Sequence, residues 1–121
     1  MNYEFKIIAF TNDPNFSISL ATECNKYGFS LSFIDNESQF EGELDSKVIS
    51  VALLDLNNFE QDPFKVCQKI KMNYGIPVFG VLDKFSKKVQ ASAKKTGFDL
   101  IFTKKMLLRS IREVIIHVSN E

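Results

Sequence analysis

The sequence predicts an α/β fold: a doubly wound parallel sheet of five strands with helices on both faces, in three layers. Three observations carry this. Short apolar runs alternate with amphipathic stretches along the whole chain, as in β-α repeats. A helix-start signature, Asp followed by Pro, occurs twice, as Asp13-Pro14 and Asp62-Pro63. The run Val51-Ala-Leu-Leu ends abruptly in Asp55. A continuous apolar run of this kind fits a strand buried on both faces, with the carboxylate at its carboxyl end. In an open α/β sheet that end is where ligands and chemistry gather.

The elements follow in order. Residues 5–10 form the first strand. Asp13 caps the helix after it, with Phe16, Leu20, Cys24 and Tyr27 as its buried stripe. Gly28 ends that helix. Residues 30–34 read as the second strand, and a short helix over 38–44 has only Phe40 and Leu44 as anchors. The third strand is 49–54. After Asp62-Pro63, a third helix buries Phe64, Cys67 and Ile70. Residues 78–82 form the fourth strand. A basic fourth helix, lined by Phe85, Val89 and Ala93, stops near Gly97. The fifth strand is 100–102, and Leu108, Ile111, Ile115 and Val118 face inward from the last helix. Short connections and right-handed crossovers select the flavodoxin-like strand order 2-1-3-4-5, with strands one and three adjacent at the switch point.

The 121 residues suit one domain spanning 1–121. The formal net charge is zero, which gives no global drive toward nucleic acid or anionic membrane. No apolar run is long enough to span a bilayer, and residues 1–6 lack a signal peptide's basic start and apolar centre, so a cytoplasmic protein is expected. Cys24 and Cys67 are expected as free thiols on apolar helix faces. His117 is the only histidine and sits near the end of the last helix, which supports neither a zinc site nor a catalytic triad. No Gly-rich loop follows the first strand; Thr11 and Asn12 leave a flavin phosphate site as one further alternative, opposed by the charges of Asp13 and Asp55.

Several segments, taken in order and spacing, resemble the receiver domains of bacterial response regulators over almost the whole chain. They are Asp13-Pro14, Gly28-Phe29, Leu53-Leu54-Asp55-Leu56-Asn57, Asp62-Pro63-Phe64-Lys65-Val66-Cys67, Ile76-Pro77-Val78, Gly97-Phe98-Asp99 and Thr103-Lys104. The resemblance implies that Asp55 stands at the phosphoacceptor position and Lys104 at the position that pairs with phosphoryl oxygens. It implies Mg²⁺ held by an acidic pair after the first strand, and a hydroxyl and an aromatic that couple phosphorylation to the face made by the fourth helix, fifth strand and last helix.

The chain departs from that pattern at each of the latter positions. Thr11 and Asn12 replace the acidic pair, Leu82 replaces the hydroxyl, and Ile101 replaces the aromatic. Lys105 follows Lys104 where proline is usual, so no cis bond is expected there. Any Mg²⁺ would fall to Asp13, Asp55 and Asn57, and weakly, since Mg²⁺ favours carboxylates over a lone amide. Lys104 is free to pair with Asp55 in place of phosphate, and Asp13 doubles as the helix cap.

The resulting expectation is an atypical, stand-alone receiver in two-component signalling. It is not an enzyme, and it acts by protein–protein interaction, with phosphorylation of Asp55 weak or absent. Its partner is a kinase, another regulator or an effector, met on the fourth helix–fifth strand–last helix face, where a homodimer is also an option. Lys84, Lys87, Lys88, Lys94, Lys95, Lys104 and Lys105 concentrate charge there, as a docking surface or as a plain solvated face. The alternative is a functional Mg²⁺-dependent phosphoacceptor.

Overall fold

A computed structural model describes residues 5–45, 47–57, 59 and 61–119; residues 1–4, part of the segment read for a signal peptide, lie outside it. Five strands form one parallel sheet in the order β2-β1-β3-β4-β5. They are β1 (Phe5–Phe10), β2 (Ser30–Phe33), β3 (Ile49–Asp55), β4 (Val78–Leu82) and β5 (Leu100–Thr103). The helices are α1 (Pro14–Tyr27), α2 (Phe40–Glu43), α3 (Pro63–Tyr74), α4 (Lys87–Thr96) and α5 (Lys104–Ser119). The expected fold class and strand order are therefore those observed.

Strand alternation divides the core in two. Phe5, Ile7, Ala9, Val51, Leu53, Phe79 and Val81 pack with Phe16, Leu20 and Cys24 of α1 and Leu107, Ile111 and Ile115 of α5. Ile8, Phe10, Ala52, Leu54 and Val78 pack with Phe40 of α2, Val66, Cys67 and Ile70 of α3, and Ala93 of α4. Cys24 and Cys67 thus lie on opposite sides of the sheet as buried free thiols, each pushed up to about 11 chiefly by burial. Asp13 and Asp62 cap α1 and α3 by accepting from the Phe16 and Phe64 amides. Gly28, Gly75 and Gly97 close α1, α3 and α4 in the left-handed conformation that glycine adopts without a Cβ penalty.

Several expectations need correction. The second helix is a 3-10 turn, Glu37–Gln39, followed by the single turn of α2, since Phe40 is its only fully buried anchor. Strand β2 stops at Phe33, one residue short of expectation, while β3 and β5 each run one residue further, to Asp55 and Thr103. Tyr27 is 41% exposed, so the α1 stripe ends at Cys24. Phe85 precedes α4 and is 60% exposed rather than lining it. Ile111 and Ile115 of the expected α5 stripe are fully buried and Leu108 and Val118 pack against them partly buried, while Leu107, not expected there, is the fully buried residue of the first turn. No peptide bond among the described residues is cis.

Candidate functional site

Sheet register assembles the site. Phe10 lies opposite Leu54, so Thr11 emerges beside Asp55. Leu82 lies opposite Thr103, so Asp83 emerges beside Lys104, the first residue of α5. Side chains from the ends of β1, β3, β4 and β5 therefore converge at the carboxyl edge of the sheet.

Lys104 is at the centre. Its Nζ lies 2.6 Å from Asp83 Oδ1, 2.9 Å from Asp55 Oδ2 and 3.0 Å from Asp13 Oδ2. The ammonium also sits 5.5 Å from the centroid of the Phe16 ring, within cation–π range. Asp55 shows no side-chain exposure, whereas Asp13 shows 23% and Asp83 52%. Burial works to lower the Lys104 pKa, but hydrogen bonds to Asp83, Asp55 and Asp13 outweigh it and hold the amine above its ordinary value. Asp13 is held below the usual carboxylate range, first by the Lys104 hydrogen bond and then by the Phe16 amide.

Both oxygens of Asp55 have protein partners. Oδ2 accepts from the Thr11 hydroxyl at 2.6 Å as well as pairing with Lys104. Oδ1 accepts from the Asn57 amide at 2.9 Å. The Asn57 side-chain oxygen accepts from the Asp83 amide at 2.7 Å and so ties the loop after β3 to the loop after β4. The Thr11 hydroxyl in turn accepts from the Asp13 amide at 3.2 Å.

The structure thus brings together Thr11, Asp13, Asp55, Asn57 and Lys104, all read from the sequence as site positions. It adds two things that the sequence reading did not contain. Thr11 is a direct donor to Asp55, and Asp83 is a partner of Lys104. Lys104 is buried within the cluster and does not belong to the basic surface with which it was grouped. Asn12 is exposed, Leu82 is buried, and Ile101 is half-buried among Leu56, Phe98 and the other residues of the α3–α4 side.

These residues do not fit a Mg²⁺ ion as they stand. A hard divalent cation needs several oxygen ligands in near-octahedral array. Here the ammonium occupies the convergence point of the three carboxylates, and the Asn57 amide oxygen is committed to Asp83.

No protein-family model matches the chain, and no curated protein matches it. Solved structures do. The receiver domain of the TMAO respiratory system response regulator TorR superposes with a TM-score of 0.75 at 14% identity, over 94% of this chain and 98% of that one. The signal receiver domain of a DNA-binding response regulator from Colwellia psychrerythraea gives 0.72 at 20% identity, over 93% and 99%. The fold is that of a response-regulator receiver domain. The BeF3-activated N-terminal receiver domain of RstA from Klebsiella pneumoniae shares that receiver fold, with a TM-score of 0.72 at 18% identity, over 88% and 95%. No helix of the described residues is long and apolar enough to cross a membrane.

Proposed function

We propose that this chain acts as an atypical receiver domain in two-component signalling, a non-enzymatic interaction module in which phosphorylation of Asp55 is weak or absent. One observation carries the reading. The fully buried Asp55 carboxylate is already occupied on the same oxygen by Lys104 and by Thr11. A phosphoryl donor approaching it meets three carboxylates and one ammonium, a cluster of formal charge −2 with its only cation committed. Phosphoryl transfer needs positive charge on the incoming oxygens, and here the sole positive charge is spent on carboxylates.

The partner surface in this reading is the α4–β5–α5 face. It exposes Lys87, Lys94, Lys105, Leu100, Met106 and Ile116, a mixed basic and apolar surface suited to a kinase, a regulator or an effector. The second reading, a working phosphoacceptor, draws on Asp55 and Lys104 standing together at the strand ends.

Intact-protein mass after incubation with acetyl phosphate, with and without Mg²⁺, separates the two. The expected result is an unchanged mass in both conditions, for the protein and for Asp55→Asn alike. A Mg²⁺-dependent phosphate adduct on most of the protein that disappears in Asp55→Asn refutes the proposal.

A further inference from the structure

Helices α3 and α4 are neighbours on one side of the sheet, and neither contains a single Asp or Glu. Together they carry Lys65, Lys69, Lys71, Lys87, Lys88, Lys94 and Lys95, in a chain whose formal net charge is zero. Lys71 pairs with Asp99 at 2.8 Å. Among the described residues the other six form no ion pair. Positive charge is therefore unbalanced over these two helices and compensated elsewhere in the fold.

An open groove of about 580 Å³ runs along them, lined by Phe64, Lys88, Val89, Ser92 and Thr96. Phe64 and Val89 are half-buried and supply an apolar floor, with the Phe64 ring held edge-on against Phe98. Lys88 is the charged residue that lines the groove, and Lys95, seven residues on, follows it along the same edge of α4 at helical spacing, next to the lining. An apolar floor under a basic rim selects for an occupant with the opposite arrangement.

We infer that the α3–α4 groove docks an acidic amphipathic helix from a partner protein, its apolar face on Phe64 and Val89 and its carboxylates on Lys88 and Lys95. Charge complementarity identifies the occupant as acidic, and the apolar floor favours a peptide helix over a phosphate backbone. This surface lies on the opposite flank of α4 from the α4–β5–α5 face. The inference goes beyond the functional reading above and does not depend on the state of Asp55.

The test uses the full chain at physiological salt and a fluorescein-labelled peptide of about four helical turns, built from Glu, Asp, Leu and Phe with apolar residues at i, i+3, i+4 and i+7. Anisotropy is expected to show binding that weakens as salt rises. Lys88→Glu/Lys95→Glu should weaken it by about tenfold or more, each exposed pairing being worth a few-fold. Ser92→Trp, which fills the groove and removes no charge, should abolish it. Lys105→Glu, away from the groove, should leave it within about twofold, because screening is nearly complete beyond about 8 Å. Circular dichroism confirms that each surface variant is folded. Absence of binding overturns the inference. So does equal binding of a scrambled peptide of the same composition, which would show charge attraction without a groove. Tighter binding of a DNA duplex or of anionic vesicles than of the peptide also overturns it.

Discussion

Replacing Lys104 by Met is the sharpest perturbation of the cluster, because it removes the ammonium and keeps most of the stem's packing. The three carboxylates then respond differently. Asp83 is half exposed and Asp13 about a quarter exposed, so water takes over much of the lost contact. Asp55 has no exposed side-chain surface and keeps the Thr11 hydroxyl and the Asn57 amide as donors to its two oxygens. Stranding one partner of a buried charge pair costs about 3–5 kcal/mol. The two retained hydrogen bonds place the expected loss near the lower end, about 3 kcal/mol at neutral pH. For a chain of this size that lowers Tm by roughly 10 °C. With no Trp in the sequence, urea unfolding followed by far-ultraviolet circular dichroism is the assay. Asp55→Asn alone should cost less, since Lys104 keeps Asp13 and Asp83. In Asp55→Asn/Lys104→Met the stranded charge is gone, so the double variant should recover about 1–3 kcal/mol relative to Lys104→Met. A Lys104→Met protein within about 0.5 kcal/mol of the parent, or a double variant showing no recovery, would refute the claim that this ion cluster holds the strand ends together.

Further outcomes follow from the same geometry. Asp13 has a lowered folded pKa, so its contribution is present above the unfolded value near 3.8 and is lost as pH falls through the folded value; Lys104 has a raised one, so its contribution is present below 10.5 and is lost only as pH rises beyond that. Stability from this cluster should therefore be flat across neutral pH and fall steeply in acid, with a shallower acid limb in Lys104→Met, as urea midpoints at a series of pH values would show. Gly80→Ala should destabilise by about 1 kcal/mol, because an added Cβ would lie 2.9 Å from Ile101 Cδ1 and 3.1 Å from Leu56 Cδ1; Ile101→Val, which removes that Cδ1, should recover part of the loss in the double variant. Thr11→Asp/Asn12→Asp supplies the carboxylates that Mg²⁺ favours, so thermal melts should show this variant less stable than the parent without divalent cation and regaining stability with Mg²⁺, while the parent's Tm stays unchanged.

Much of the scaffold was legible because its signals are local. An Asp cap followed by Pro needs only its own helix, and Gly at a helix end needs only its own φ, so α1 was read almost to the residue and α3 from its first residue. Signals that depend on neighbours failed. Phe85 looked like the first residue of an α4 stripe, but Ser86 caps that helix through the Val89 amide and leaves Phe85 outside it. On α5 the expected Ile111 and Ile115 are buried, but Leu107 was overlooked because it is as apolar as Leu108, and only packing against α1 and the sheet shows which of the two is fully buried. At the site, Asp55 and Lys104 were read from their places in the order of segments. The role of Asp83 was missed because its partner comes from β4–β5 register, which no single segment encodes. A signal was nonetheless present: Asp13, Asp55 and Asp83 all fall at or just after the ends of β1, β3 and β4, which a parallel sheet gathers at one edge. The same blindness hid the basic groove, since α3 and α4 had to be neighbours before their lysines could be added together.

In the proposed reading, the cluster also explains why signalling would run through the surface. A ligand shifts a conformational equilibrium only by its difference in affinity between the states. For a phosphoryl group at Asp55 that difference would have to exceed the loss of the Lys104 contacts, which link three strand-end loops to the first turn of α5. The usual means of gaining it are missing: Leu82 has no hydroxyl to bond a phosphoryl oxygen, and Ile101 packs inward over Gly80 with Leu56 and Phe98, an apolar contact with no polar group seeking a partner. In that reading Lys104 serves as a tethered cation whose three contacts hold the strand ends in one arrangement. What remains adjustable is outside that edge, on exposed lysines of α3 and α4 whose charge the fold leaves uncompensated. A partner that neutralises them gains affinity without moving the buried cluster, and a receiver fold fixed at Asp55 can still discriminate among partners by charge and shape alone.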